Sequence, residues 1–357
     1  MEFAHFSHVW SKHGMSPARR FEQLMQELEI CDEVGFDYAF AVEHHFTRHE
    51  SWMSSPSIFV AAAAQRTSRI RLGPMGYVVP LYQPLRLLEE VALLDQLTDG
   101  RLELGLVPGI SPHFFAPFDA DFPNRRELTR EFIEFAKTAY GAEGAFSFQG
   151  ERIQLEDVEL SVPPAQRPHP PIWWETRDPD TLEYVAAEGM SAGYFLLMPR
   201  QDVAPCYREF LRLWKEAGHA HQPRLGYWSL VYVDQSDEIA LEKALPHAME
   251  SLALLFSVGK GASQEGTAKM FEGRGEGGAA ELVRNLTDRD YVLENDLIFI
   301  GSPETVAAKI EAAAQEGVFN MLFCEMNFGQ LEESALMRSI RLMGESVIPR
   351  LRSCDIV

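Results

Sequence analysis

Residues 40–50 read FAVEHHFTRHE and gather Glu43, His44, His45, His49 and Glu50 behind the apolar run 38–42. Imidazoles change charge near neutrality, so such a cluster can give or take a proton. Imidazole and carboxylate also ligate metal ions. Adjacent residues on a strand point to opposite faces, which keeps His44 and His45 from sharing one ion. The spacing of His5 and His8 fails the same test, and the His-x-His of metal-dependent barrel hydrolases is missing. No metal site is expected. No G-x-S-x-G occurs, and Cys324 lies in MLFCEM as a core thiol, so nucleophilic catalysis has no candidate. That leaves proton handling or ligand orientation by Glu43, His44 and His45. Hydrogen-bonded structural roles at a strand end compete with that reading.

The elements that must position these groups alternate. Apolar runs at 2–7, 37–42, 70–79, 101–107, 171–175, 192–197, 224–233 and 318–325 lack strict polar alternation, as strands buried on both faces do. Helical patterns separate them at 17–34, 56–66, 84–97, 124–140, 178–188, 201–217, 303–315 and 332–350. The first follows Ser16 as cap, takes Pro17 at its first position and stops at Gly35. Repeating β-then-α units imply parallel strands with helical crossovers, and eight of them predict a (β/α)₈ TIM barrel. An open doubly wound sheet is the competitor, but its G-x-G-x-x-G after the first strand is absent; Gly105 and Gly109 after the fourth are a weak substitute. The chain reads as one barrel domain, 1–357, with two insertions. Residues 145–164 alternate like an antiparallel excursion. Residues 235–296 hold a helical segment and a glycine-rich run that is either a lid over bound ligand or a surface loop.

The barrel reading puts chemistry at the carboxyl ends of the strands. The groups there are His5, Ser7 and His8; Glu43, His44 and His45; Met75, Gly76 and Tyr77; Val107, Pro108 and Gly109; Trp173, Trp174 and Glu175; and Glu325. The net charge of −21 argues against nucleic acid or an anionic membrane as partner. The four cysteines form no C-x-x-C pair, no apolar run reaches spanning length, and the first residues carry no basic leader. A cytoplasmic protein is expected.

At this point the residues resemble a known family. GFDYAFAVEHHFT at 35–47, the run at 70–109 containing LLDQLTDGR, WWETRDPDTLEYVAAEGM at 173–190, GSPETVAAKI at 301–310 and RSIRLMGESVIPRL at 338–351 are similar to bacterial luciferase and the luciferase-like flavin-dependent monooxygenases. The resemblance implies a barrel that binds FMN, reduced by a separate flavin reductase, and uses O₂ to oxygenate an aldehyde, ketone or other small apolar substrate. It gives His44 the task of tending a peroxyflavin, sets Glu43 near the flavin ring and leaves His45 in support. It implies a non-proline cis peptide or bulge at Met75–Gly76 against the ring. It places Val107, Gly109 and Ile110 beside the cofactor, and Glu175, Thr176 and Thr181 at its phosphate, with Arg177 as a charge partner. Two positions depart: Pro108 stands where luciferase has an arginine and Val107 where it has a reactive cysteine. Trp10, Trp52, Tyr77, Phe114, Phe115, Trp173 and Trp174 are candidates for an apolar pocket. A homodimer is expected through the helices after strands two and three. A deazaflavin-dependent oxidoreductase and a non-catalytic flavin-binding protein are the alternatives.

Overall fold

The computed structural model describes residues 1–176, 178–194, 199–255, 263–354 and 356. Its strands are β1 Glu2–Ser7, β2 Tyr38–Ala41, β3 Arg71–Pro74, β4 Tyr77–Val78, β5 Leu104–Val107, β6 Phe146–Gln149, β7 Gln154–Val158, β8 Ile172–Glu175, β9 Ser191–Tyr194, β10 Leu225–Val233, β11 Phe299–Gly301 and β12 Met321–Glu325. The main sheet runs β3-β2-β1-β12-β10-β9-β8-β5-β4, with β11 alongside β10. Every pairing in it is parallel. The two ends of that order, β3 and β4, are halves of one chain segment. Leu72 also bridges Leu102. The sheet therefore closes into a barrel of eight strands, the third of them in two pieces.

The expected continuous strand 70–79 is broken at Met75–Gly76, whose peptide is cis. Backbone crowding explains the glycine. A Cβ on Gly76 would sit 2.6 Å from the carbonyl carbon of Gly105 on β5, and one on Gly105 would fall 2.1 Å from the Pro74 oxygen. The two backbones touch where the barrel closes.

The helices follow the caps read in the sequence. Ser16 accepts from the Arg19 N–H, Pro17 opens helix Pro17–Val34, and Gly35 ends it at φ 107. Leu24, Leu28 and Cys31 turn the apolar face of that helix onto the barrel. Residues 146–158 form the antiparallel pair β6–β7 off the main sheet. The segment expected to combine a helix and a glycine-rich run folds, where described, as helices Asp237–Leu254, Gln264–Glu272, Gly277–Asn285 and Arg289–Glu294. Gly259 and Gly261 of that run lie outside the described residues. Among the described residues no helix is long and apolar enough to cross a membrane.

Aromatic rings fill the interior. Tyr38, Phe40, Trp173 and Phe323 contact one another at centroid distances of 5.6–6.4 Å. Beneath them the amino ends of the strands carry an ionic floor. Buried Glu103 takes the Trp173 Nε1–H at 2.6 Å and pairs with Arg71, while Arg224 lies 3.9 Å from Glu103 and 3.4 Å from Glu2.

Candidate functional site at the barrel mouth

The carboxyl end of the barrel carries the titratable groups. The chain leaves β1 through His8 and turns sharply at Val9, whose φ of 54 is unusual for a β-branched residue. It leaves β2 through Glu43, His44 and His45, which lie beyond the strand, and Phe46 turns at φ 61. This second loop folds back on the first. The Ser51 hydroxyl donates to the His8 carbonyl at 2.5 Å, the Trp52 N–H to Val9, and the His44 N–H to Met53. Glu50, 1% exposed, is thereby set beside both His44 and His8.

The resulting geometry is specific. His44 donates from Nδ1 to Glu50 at 2.9 Å. His8 donates from Nδ1 to Glu325 at 2.6 Å, and its backbone N–H points at both oxygens of the same carboxylate, at 3.3 and 3.2 Å. The rings of His8 and His44 lie 5.5 Å apart, edge to face. Burial opposes the charge on His8, but Glu325 first and Glu50 after it outweigh burial and hold the imidazole above its ordinary value. Burial likewise opposes the charge on Glu50, and His44, His8 and Thr47 overcome it and hold that carboxyl below its ordinary range. A nitrogen from each ring and an oxygen of Glu50 all lie within 4.8 Å of one another, near enough for a shared cation. The expectation of no metal rested on keeping His44 from His45; the fold pairs His44 with His8 instead.

His45 turns away. Its Nε2 bonds Glu43 at 2.8 Å, and the other oxygen of Glu43 accepts the Val78 N–H at 2.8 Å. Glu43 thus ties the loop after β2 to the chain just past Met75–Gly76. Gly109, at φ 82, leaves no room for a side chain against Phe115 and Val78. Val107 packs with Val78, Phe114 and Phe115, and Ile110 is exposed. Of the aromatic candidates, Trp10 lies 4.9 Å from His8 and Phe114 5.5 Å from His44. Trp173 instead faces the floor, Trp174 meets Tyr184 on the helix layer, and Tyr77 bonds Ser57. Trp228, 5.6 Å from His8, was missed because it lies in the middle of a long strand.

A second group of residues lies at the ends of β5 and β8. Burial alone drives the Glu175 carboxyl well above its ordinary value, and Oε1 has no partner among the described residues. Thr176 accepts the Asp178 N–H, and buried Thr181 donates its hydroxyl to Asp178, the cap of helix Pro179–Ala187. The Thr181 proton is thus committed to the start of that helix, while the Thr176 hydroxyl only accepts there. Arg177 lies outside the described residues. Beside Asp178 opens a cleft of about 510 Å³ lined by Arg125, Arg126 and Arg274 together with Glu127, Asp178 and Glu276. Burial, then Arg126 and Arg274, lower Arg125, so three guanidiniums crowd one another. Arg126 holds Asp178 only loosely, at 3.6 Å. Sequence reasoning overlooked these arginines; the pair after Asn124 in an acidic chain was the signal. This donor set fits a phosphate monoester, which would relieve the crowding and replace Asp178 on Arg126. The orphaned oxygen of Glu175 would be open to a polar ligand edge.

A family model described as luciferase-like monooxygenase matches residues 1–320. Over 358 residues the chain is 28% identical to an uncharacterized protein, y4wF, of Sinorhizobium fredii, covering 98% of this chain and 97% of that one. It is 27% identical over 190 residues to the alkanal monooxygenase alpha chain of the Kryptophanaron alfredi symbiont, 53% of each chain, and so spans about half the length of that relative. Among solved structures, the oxygenating constituent of 3,6-diketocamphane monooxygenase from Pseudomonas putida, in complex with FMN, matches with a TM-score of 0.81 at 18% identity, over 98% of each chain. The coenzyme F420 dependent tetrahydromethanopterin reductase of Methanopyrus kandleri matches with a TM-score of 0.71 at 18% identity, over 98% of this chain and 99% of that one. At such identities these two structures share the fold.

Proposed function

Since the chain belongs to the luciferase-like monooxygenase family, a family of flavin-dependent oxidoreductases, we propose that it uses reduced FMN and O₂ to oxygenate a small apolar substrate such as an aldehyde or ketone. The observation that carries this reading is the cleft of Arg125, Arg126 and Arg274 beside the ends of β5 and β8. The guanidiniums of Arg126 and Arg274 suit one phosphate group, with Arg125 beside them. The three carboxylates in the same cleft disfavour the long anionic tail of a deazaflavin. Reduced FMN supplies the electrons that activate O₂, and a separate flavin reductase supplies the reduced cofactor.

This chain's own residues do the rest. Arg126 and Arg274 bind the phosphate, and Arg125, which donates to the Gly109 carbonyl at 3.3 Å, fixes the loop after β5. Glu43 anchors the backbone beyond Gly76, which would support the flavin ring. His44 holds or releases a proton from the ring nitrogen not bonded to Glu50. Trp10 and Phe114 exclude water and accept apolar substrate. Titration with FMN and a deazaflavin side by side tests the cofactor. FMN binding is expected to weaken about tenfold in Arg126→Ala, in line with the loss of one charged hydrogen bond; tight deazaflavin binding with no response to FMN would sink the reading.

Two copies of the chain pair through the helices Pro56–Ala64 and Pro84–Leu97. Ile58, 71% exposed, and Leu93, 49%, leave an apolar surface there. Sedimentation of the wild type as a dimer and of Ile58→Glu as a monomer is expected. A monomeric wild type would remove the pairing.

A further inference from the structure

We propose that His8, pinned by Glu325, is a built-in counter-charge to Glu50 and thereby a positioning residue that sets how readily His44 gives up its proton. The inference rests on the proton role of His44 given above.

The groups facing one another come from three parts of the fold. The end of β1 provides His8, the last residue of β12 provides Glu325, and the loop after β2 provides His44 and Glu50. Among the described residues, the other rings that meet His8 and His44, those of Phe6, Trp10, Phe114 and Trp228, carry no charge. Glu325 is fully buried and takes both the ring Nδ1–H and the main-chain N–H of His8. This carboxylate fixes the ring and favours its charged form, and the charge sits within 4.8 Å of Glu50. Glu50 alone against His44 would hold a proton there strongly, because a buried carboxylate favours a neighbouring imidazolium. A proton on His8, which Glu325 favours, cancels part of that field. Two carboxylates then face two histidines.

The experiment follows the ring nitrogens of His44 by NMR in the ¹⁵N-histidine-labelled full-length protein without flavin, from about pH 4 to pH 9. It compares wild type with His8→Gln, Glu325→Gln and Glu50→Gln. At these separations each charge is expected to move its neighbour's midpoint by about one pH unit. Removing His8, or the Glu325 that charges it, is expected to raise the His44 midpoint. Removing Glu50 is expected to lower it. A role limited to packing does not produce opposite signs. An unmoved or lowered midpoint in His8→Gln overturns the proposal. Equilibrium dialysis with Zn²⁺ alone provides the second arm: Zn²⁺ retained by wild type and lost in His8→Gln would make His8 a ligand and overturn it as well. If His8→Gln fails to fold, the opposite signs of Glu325→Gln and Glu50→Gln decide. Because the titration needs no turnover, an enzyme inactive with FMN whose His44 shows these signs separates failure of the functional reading from failure of this one.

Discussion

The barrel has an ionic network at each end, and the two are built from different cations. At the floor, Glu103 and Glu2 meet Arg71 and Arg224. At the mouth, Glu50 and Glu325 meet His44 and His8. A guanidinium keeps its charge throughout the range where proteins fold. An imidazole does not. The floor is therefore a fixture that closes the amino ends of the strands, and the mouth is a set of charges that protons can rearrange. The two ends thus differ in whether their cations can lose a proton near neutrality.

Variants that exchange these properties test the contrast. His44→Ala is expected to lower oxygenation by about 10²–10⁴-fold, the usual weight of a general acid–base group, with flavin binding retained. Turnover against flavin titration checks it, and full activity would take His44 out of the chemistry. Glu103→Gln removes the shared anion from Arg71, Arg224 and Trp173. It is expected to cost about 3–5 kcal/mol of stability, as for other broken buried pairs. Denaturant unfolding measures this, and an unchanged midpoint would show that the floor does not hold the barrel closed.

The smallest effect separates the ends by pH. His8 is raised in the folded protein, so its stabilisation is complete below its ordinary value of 6.5 and fades as pH rises through the folded value. Glu50 is lowered, so its stabilisation is present above its ordinary 4.5 and fades as pH falls through the folded value. The mouth therefore contributes most between those two values. In unfolding measured across that window, His8→Gln and Glu50→Gln are expected to lose most near its middle, at about pH 5–6. A pH-independent loss in either would contradict the titrating pair.

Much of this was legible along the chain because it is local. Buried parallel strands need apolar runs and their helices need caps, so the eight units, Ser16, Gly35 and the position of His44 past the second strand could be read from periodicity and spacing. The resemblance in the runs around 35–47 and 70–109 supplied the cofactor class that spacing alone did not. What escaped was every partnership made across long stretches of chain. His8 and Glu325 are 317 residues apart, and each was visible at the rim only as a separate polar residue. Arg274 reaches Arg125 and Arg126 from a different part of the chain. Strand alternation correctly separated His44 from His45, but the separation is made in the loop, by hydrogen bonds to Glu50 and Glu43. The amino-acid order by itself determined the barrel and which chemical groups stand at its mouth, because periodicity and capping act between near neighbours. Only the tertiary structure decided which carboxylate charges which histidine, because those contacts exist only once the first and last strands lie side by side.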